Sequence, residues 1–163
     1  MTIETQAASD DEPKKIEINN ILVPIDGSEY SLKAAQYATR VARNEKAQLF
    51  CIHIVTPRMP YGYATPAASF TESRYYEDIK HKVELWFDNV RNMAKDEGIP
   101  DIKTEIFIDV KSVIESILDY ASHKNIDLIV IGTRGRTGLK RFFMGSVANG
   151  VLQHAHCPVL VVR

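Results

Sequence analysis

The stretch ILVPIDGS, Ile21 to Ser28, decides the fold. Its first five residues form an unbroken apolar run, apolar on both pleats and β-branched at Ile21, Val23 and Ile25. Such a run suits a strand buried on both faces of a parallel sheet. Asp26-Gly27-Ser28 breaks it, and Ser28 is placed to cap a helix. Behind that cap Leu32, Ala35, Ala38, Val41 and Ala42 recur at helical spacing. A buried strand therefore feeds a helix, which is the first half of a crossover unit.

The same alternation continues outward. AQLFCIHIV, residues 47–55, predicts a second buried strand, and a stripe through Tyr76, Ile79, Val83, Trp86, Phe87, Val90, Met93 and Ala94 predicts a long core-facing helix stopped by Gly98 and Pro100. Lys103 to Ile108 alternates as a third strand. Ile114, Ile117, Leu118 and Ala121 mark a third helix, and IDLIVIG, residues 126–132, reads as a fourth strand. Residues 145–153 complete a fourth helix, and PVLVV, residues 158–162, a fifth strand. Strict alternation of strand and helix predicts a single α/β domain, a doubly wound five-stranded parallel sheet with about four helices and right-handed crossovers.

Two segments fall outside this pattern. Residues 1–18 hold acids, two lysines and almost no large apolar side chains, and are expected to form a disordered acidic tail. TPRMPYGYATPAASFTES, residues 56–73, has three prolines, a glycine and no sustained period, so a long mobile loop is expected over 55–72.

Composition narrows the function. With 163 residues, 45% apolar content and a formal net charge of −1, the protein carries no global basic field that would draw nucleic acid or membrane. Cys51 and Cys157 lie far apart inside apolar segments and read as small buried hydrophobes, which argues against a disulfide framework. No stretch approaches the roughly 20 apolar residues of a membrane span. A soluble, unexported, cytoplasmic protein is expected.

Ligands of open parallel sheets bind beyond the carboxyl ends of the strands. There IGTRGRTGLKRFFMGSVANG, Ile131 to Gly150, leaves the fourth strand and runs into a helix start. Gly132 and Gly135 let backbone approach an anion, Arg134, Arg136, Lys140 and Arg141 add cations, and Gly145-Ser146 stands where free N–H groups favour phosphate. The spacing excludes the GxxxxGK phosphate loop, because no lysine precedes Ser146, and it excludes GxGxxG, because Gly132, Gly135 and Gly138 fall three apart. His154, His156 and Cys157 lack a second ligand pair and read as helix-end packing rather than a metal site. His53 reads as a hydrogen-bonded core histidine. Asp26 reads equally as a turn residue before glycine or as a ligand.

Gly132-xx-Gly135, nine residues, then Gly145-Ser146, in a domain that opens ILVPIDGSEYS and closes HCPVLVVR, resembles the ATP-binding branch of the universal stress protein family over residues 19–163. The resemblance implies a flavodoxin-like (Rossmann-like) sheet of order 3-2-1-4-5, a homodimer paired through the last strand, and ATP, or ADP or AMP, at the strand ends. It implies that Pro24, Ile25 and Asp26 line the nucleoside, with Asp26 near the ribose or a phosphate-bound Mg²⁺. Ile54 would meet adenine, Ile131, Gly132, Arg134 and Gly135 would wrap ribose and phosphates, and Gly145, Ser146, Val147 and Ala148 would hold the phosphates. One departure is Asp109-Val110, where many relatives have a glycine before the third helix. A loop residue, Tyr61, Tyr63 or Phe70, is a candidate cover for the nucleotide.

Catalysis is less well supported than binding, because Asp26 is one carboxylate without a convincing partner base. The leading expectation is a nucleotide-dependent regulatory or stress-response module with no catalytic residue. The alternatives are a slow ATPase or autophosphorylating switch, with Ser146 or Thr137 as acceptor, and a dimeric scaffold that binds AMP, cyclic AMP or no nucleotide.

Overall fold

In the computed structural model, which describes residues 17–57, 66–135 and 144–163 and gives 66–73 by backbone alone, the ILVPI run becomes the middle of the sheet. β1 (Asn20–Pro24) pairs in parallel with β2 (Gln48–Val55) on one side and β4 (Leu128–Gly132) on the other. Flanked on both edges and covered on both faces, Ile21, Leu22 and Val23 are fully buried. β3 (Lys103–Ile108) extends the sheet beyond β2, and β5 (Val159–Val162) beyond β4. All five strands are parallel, in the order β3-β2-β1-β4-β5. The expected α/β class and strand order are found.

The alternation of side chains divides the core in two. Ile21, Val23, Leu49, Cys51 and Val130 face α1 (Glu29–Glu45) and α2 (Pro66–Asp96), where Ala34, Ala38, Val83, Phe87 and Val90 meet them. Leu22, Ile52, Ile129 and Ile131 face α3 (Val113–His123) and α4 (Ser146–His154), where Ile117, Ala121, Ala148 and Val151 close the second layer. Two helices on each face make the sheet doubly wound. Burial also pushes the Cys51 thiol up to about 12, which suits an inert core residue. Cys157 is half-buried, less enclosed than its apolar setting suggested.

Local chemistry sets the helix ends. Ser28 caps α1 by accepting the Ser31 N–H at 3.2 Å. The stripe expected on α2 is its buried face, and the helix ends where Gly98 takes a left-handed φ of 80° while Ile99 N–H donates to Ala94 O at 2.8 Å.

Two boundaries correct the sequence reading. α2 begins at Pro66, so residues 66–72 are helix rather than loop. Proline at a first helical position has a φ already set for the turn, and Ala67 and Ala68 follow with high helix propensity but no stripe to betray it. The tail expected over 1–18 lies outside the described residues up to residue 16, and Ile18 packs against the core face of α1 and α2. Asn19 and Asn20 N–H both donate to one Asp127 carboxylate oxygen, at 2.8 and 2.9 Å, and this anchors the approach to β1.

Candidate functional site

The strand order reverses at β1, whose two neighbours are reached by crossovers on opposite faces of the sheet. A cleft of about 400 Å³ opens there, beyond the carboxyl ends of β1, β2 and β4. Pro24, Ile25 and Asp26 enter it from β1 and Ile54 from β2. Ile131, Gly132, Arg134 and Gly135 enter from β4 and its extension, and Gly145, Ser146, Val147 and Ala148 from the start of α4. These twelve residues, named above from the resemblance, line one cleft.

Several close contacts hold its walls. Ile25 N–H donates to Ile52 O at 2.8 Å, prolonging the β1–β2 ladder. His53 Nδ1 lies 2.6 Å from Ile25 O; a carbonyl only accepts, so Nδ1 carries the proton and donates. The buried imidazole stands edge-on to Trp86, with centroids 5.4 Å apart, in the structural role expected for it. Trp86 in turn covers the β1–α1 turn: a Cβ at Gly27, whose φ is 77°, would fall 2.1 Å from the indole. Only glycine serves there, on both counts.

Asp26 divides its carboxylate between local and distant partners. Oδ1 accepts the Ser28 N–H at 2.9 Å, an Asx turn that shapes the loop. Oδ2 faces Gly135, where an added Cβ would lie 2.6 Å away. Asp26 is thus a turn acceptor on one oxygen, and it also lines the cleft. Ser28 Oγ also donates to Arg134 O at 3.4 Å, joining positions 106 apart in sequence. Arg134 is oriented by α1: its Nη1 donates to Tyr30 Oη at 2.9 Å and its guanidinium lies 5.3 Å from the Tyr30 ring centroid.

The opposite wall is a helix start. Gly145 occupies the N-cap of α4 and supplies no side-chain hydrogen bond, while its own N–H donates to Thr133 O at 2.7 Å. The first intrahelical bond runs from Asn149 N–H to Gly145 O, so the N–H groups of Ser146, Val147 and Ala148 have no helical acceptor. No acid sits in this first turn. With the helix dipole, these donors form an electropositive wall suited to an anion. Ile54, Ile131, Val113 and Ile117 form an apolar wall suited to a flat base. Among the described lining residues, Asp26 is the only carboxylate.

Sequence reasoning missed some of the lining. Val113 and Ile117 of α3 reach the cleft, although helical spacing marks such residues only as core. Thr133 and Ser31 also line it. Thr133 stood inside the glycine motif, and that position was the available signal. Arg136, Thr137, Lys140 and Arg141 lie outside the described residues, as do Tyr61, Tyr63 and the side chain of Phe70. His154 Nδ1 donates to Gly150 O at 2.9 Å, which is helix-end packing. Among the described residues no group of three or more His, Cys, Asp or Glu is arranged to hold a metal ion, and no helix is long and apolar enough to cross a membrane.

The model of the universal stress protein family matches residues 17–163. A universal stress protein of Methanocaldococcus jannaschii is 38% identical over 143 residues, covering 88% of this chain and 81% of its own length. The solved universal stress protein of Lactobacillus plantarum superposes with a TM-score of 0.78 at 30% identity, over 91% of this chain and 100% of that one. A universal stress protein of Archaeoglobus fulgidus, solved in complex with dAMP, shares the fold with a TM-score of 0.58 at 21% identity, over 91% of this chain and 100% of that one. The chain belongs to the universal stress protein family.

Proposed function

We propose that this universal stress protein binds an adenine nucleotide, ATP foremost, in the cleft at the carboxyl ends of β1, β2 and β4, and that occupancy regulates it as a cytoplasmic stress-response module. The observation that carries this reading is the convergence of an apolar wall, Ile54, Ile131, Val113 and Ile117, with the uncapped start of α4 across one cavity. Adenine needs the first and phosphate the second. A relative of the same fold holds dAMP. Pro24, Ile25 and Asp26 would border the nucleoside, and Gly132, Arg134 and Gly135 the ribose and phosphates. Ser146, Val147 and Ala148 would donate to phosphate.

Magnesium would arrive on the nucleotide, since Mg²⁺ typically takes one or two carboxylates together with substrate phosphates. Asp26 is the fitting ligand. Binding is better supported than turnover, because Asp26 Oδ1 is engaged by Ser28 N–H and His53 already donates to Ile25 O. Pairing through β5 into a homodimer is supported by its place at the sheet edge and by Leu160, an exposed large apolar side chain on that edge.

The test is to denature freshly purified protein, identify the released nucleotide by mass, and titrate nucleotide-free protein calorimetrically with ATP, ADP, AMP and cyclic AMP. Gly135→Val serves as the control. Its side chain would meet Asp26 Oδ2, so ATP affinity should fall about 100-fold, the scale of an overpacking penalty. Failure of all four nucleotides to bind at millimolar concentration would sink the reading.

A further inference from the structure

Thr133 carries a buried hydroxyl with no partner among the described residues. The residue is 8% exposed, and Oγ1 makes no hydrogen bond to any of them. Its backbone is pinned at both ends: the N–H donates to Val162 O at 2.7 Å, and the carbonyl accepts the Gly145 N–H at 2.7 Å. The first of these bonds continues the β4–β5 ladder, so the pleat determines which way the side chain leaves the sheet. Leu128 and Val130 belong to the core layer of α1 and α2, whereas Ile129 and Ile131 belong to that of α3 and α4. Alternation therefore sends Thr133 to the α4 face, where it lines the cleft beside Gly145 and Ser146.

An unpaired buried hydroxyl is a standing cost that valine, of the same shape, would avoid. Native hydroxyls in such positions call for an explanation, and a ligand is one. We propose that Thr133 Oγ1 is a phosphate donor of the cleft. It adds a hydroxyl to the N–H groups of Ser146, Val147 and Ala148 and donates to a phosphoryl oxygen seated on the start of α4. The inference rests on the adenine-nucleotide reading and adds to it a residue that senses the phosphate rather than the base.

The experiment compares wild type, Thr133→Val and Thr133→Ser by calorimetric titration with ATP, AMP and adenosine, and by thermal melting of the nucleotide-free proteins. Thr133→Val should bind ATP and AMP about tenfold more weakly, as for loss of one hydrogen bond to a charged group, and adenosine within about twofold of wild type. Thr133→Ser should stay near wild type. Nucleotide-free Thr133→Val should melt no lower than wild type, because it loses no bond. Wild-type affinity of Thr133→Val for ATP and AMP would overturn the proposal. So would an equal loss for adenosine, or a lower melting temperature of nucleotide-free Thr133→Val, which would make the hydroxyl structural. If wild type binds none of the three ligands, the nucleotide reading itself fails and this inference falls with it.

Discussion

The starts of α3 and α4 lie on the same face and at the same end of the sheet, yet one is closed and the other open. At α3, Ser112 Oγ accepts the Glu115 N–H at 3.2 Å and Glu115 Oε2 accepts the Ser112 N–H at 3.1 Å, a reciprocal capping box. Asp109 adds two more acceptor contacts, from Lys111 N–H at 3.0 Å and Ser116 Oγ at 2.9 Å. At α4, Gly145 brings no side chain, and no acid follows in the first turn. A helix start that engages its Glu115 N–H with its own cap and carries an acid in its first turn is less suited to an anion. Equal helix dipoles do not make equal sites; the cap decides which of them can take a ligand.

The contrast can be broken most directly by closing α4. Gly145 has φ −63° and ψ 152°, which any residue adopts, although a Cβ there would come within 3.2 Å of Thr133 O. Gly145→Asp should place a capping carboxylate where phosphate is expected and reduce ATP affinity by about tenfold or more in calorimetric titration. Unchanged affinity would remove the functional meaning of the open start.

Opening α3 should have a smaller and different effect. Ser112→Ala removes the capping box and should lower stability by about 1 kcal/mol in urea denaturation, with ATP affinity unchanged. A loss of affinity matching that at α4 would show that the two starts are not functionally distinct.

The smallest effect belongs to Asp109. Its backbone hydrogen bond from Lys111, and then that from Ser116, hold its carboxyl below the ordinary value of 3.8. A depressed folded-state pKa means that the ionised form supports the fold. That support is present above the unfolded value and disappears as pH falls through the folded one. Wild type should therefore be slightly more stable than Asp109→Asn at pH 7, and urea midpoints should converge as pH is lowered below 3.8. A difference independent of pH would assign the effect to packing.

Much of this was legible before any coordinates. The apolar run at Ile21–Ile25 became the doubly flanked middle strand, Ser28 caps α1, and Gly98 takes the left-handed φ that ends the long helix. The spacing of Gly132, Gly135 and Gly145 pointed to the cleft that they line. Other features left no such trace. Pro66 opens α2 inside a stretch with no apolar period, and Ile117 serves both core and cleft from one helical face. Tyr30 gave no sign that it would orient Arg134, because neither residue belongs to a pattern containing the other.

Strand, helix and cap are written in neighbouring residues, since burial periodicity and N–H satisfaction act over a turn or a few pleats. Those local signals are enough to specify an α/β protein with parallel strands and a glycine stretch that leaves the fourth strand toward a helix start. Which residues meet is a different matter. Asp26 against Gly135, Ser28 on Arg134 O and Gly145 on Thr133 O depend on strand register and on how α1 and α4 seat against the sheet. Contacts between distant residues follow from packing of the whole sheet, and so the tertiary structure alone assembled the cleft and left the Thr133 hydroxyl without a partner among the described residues.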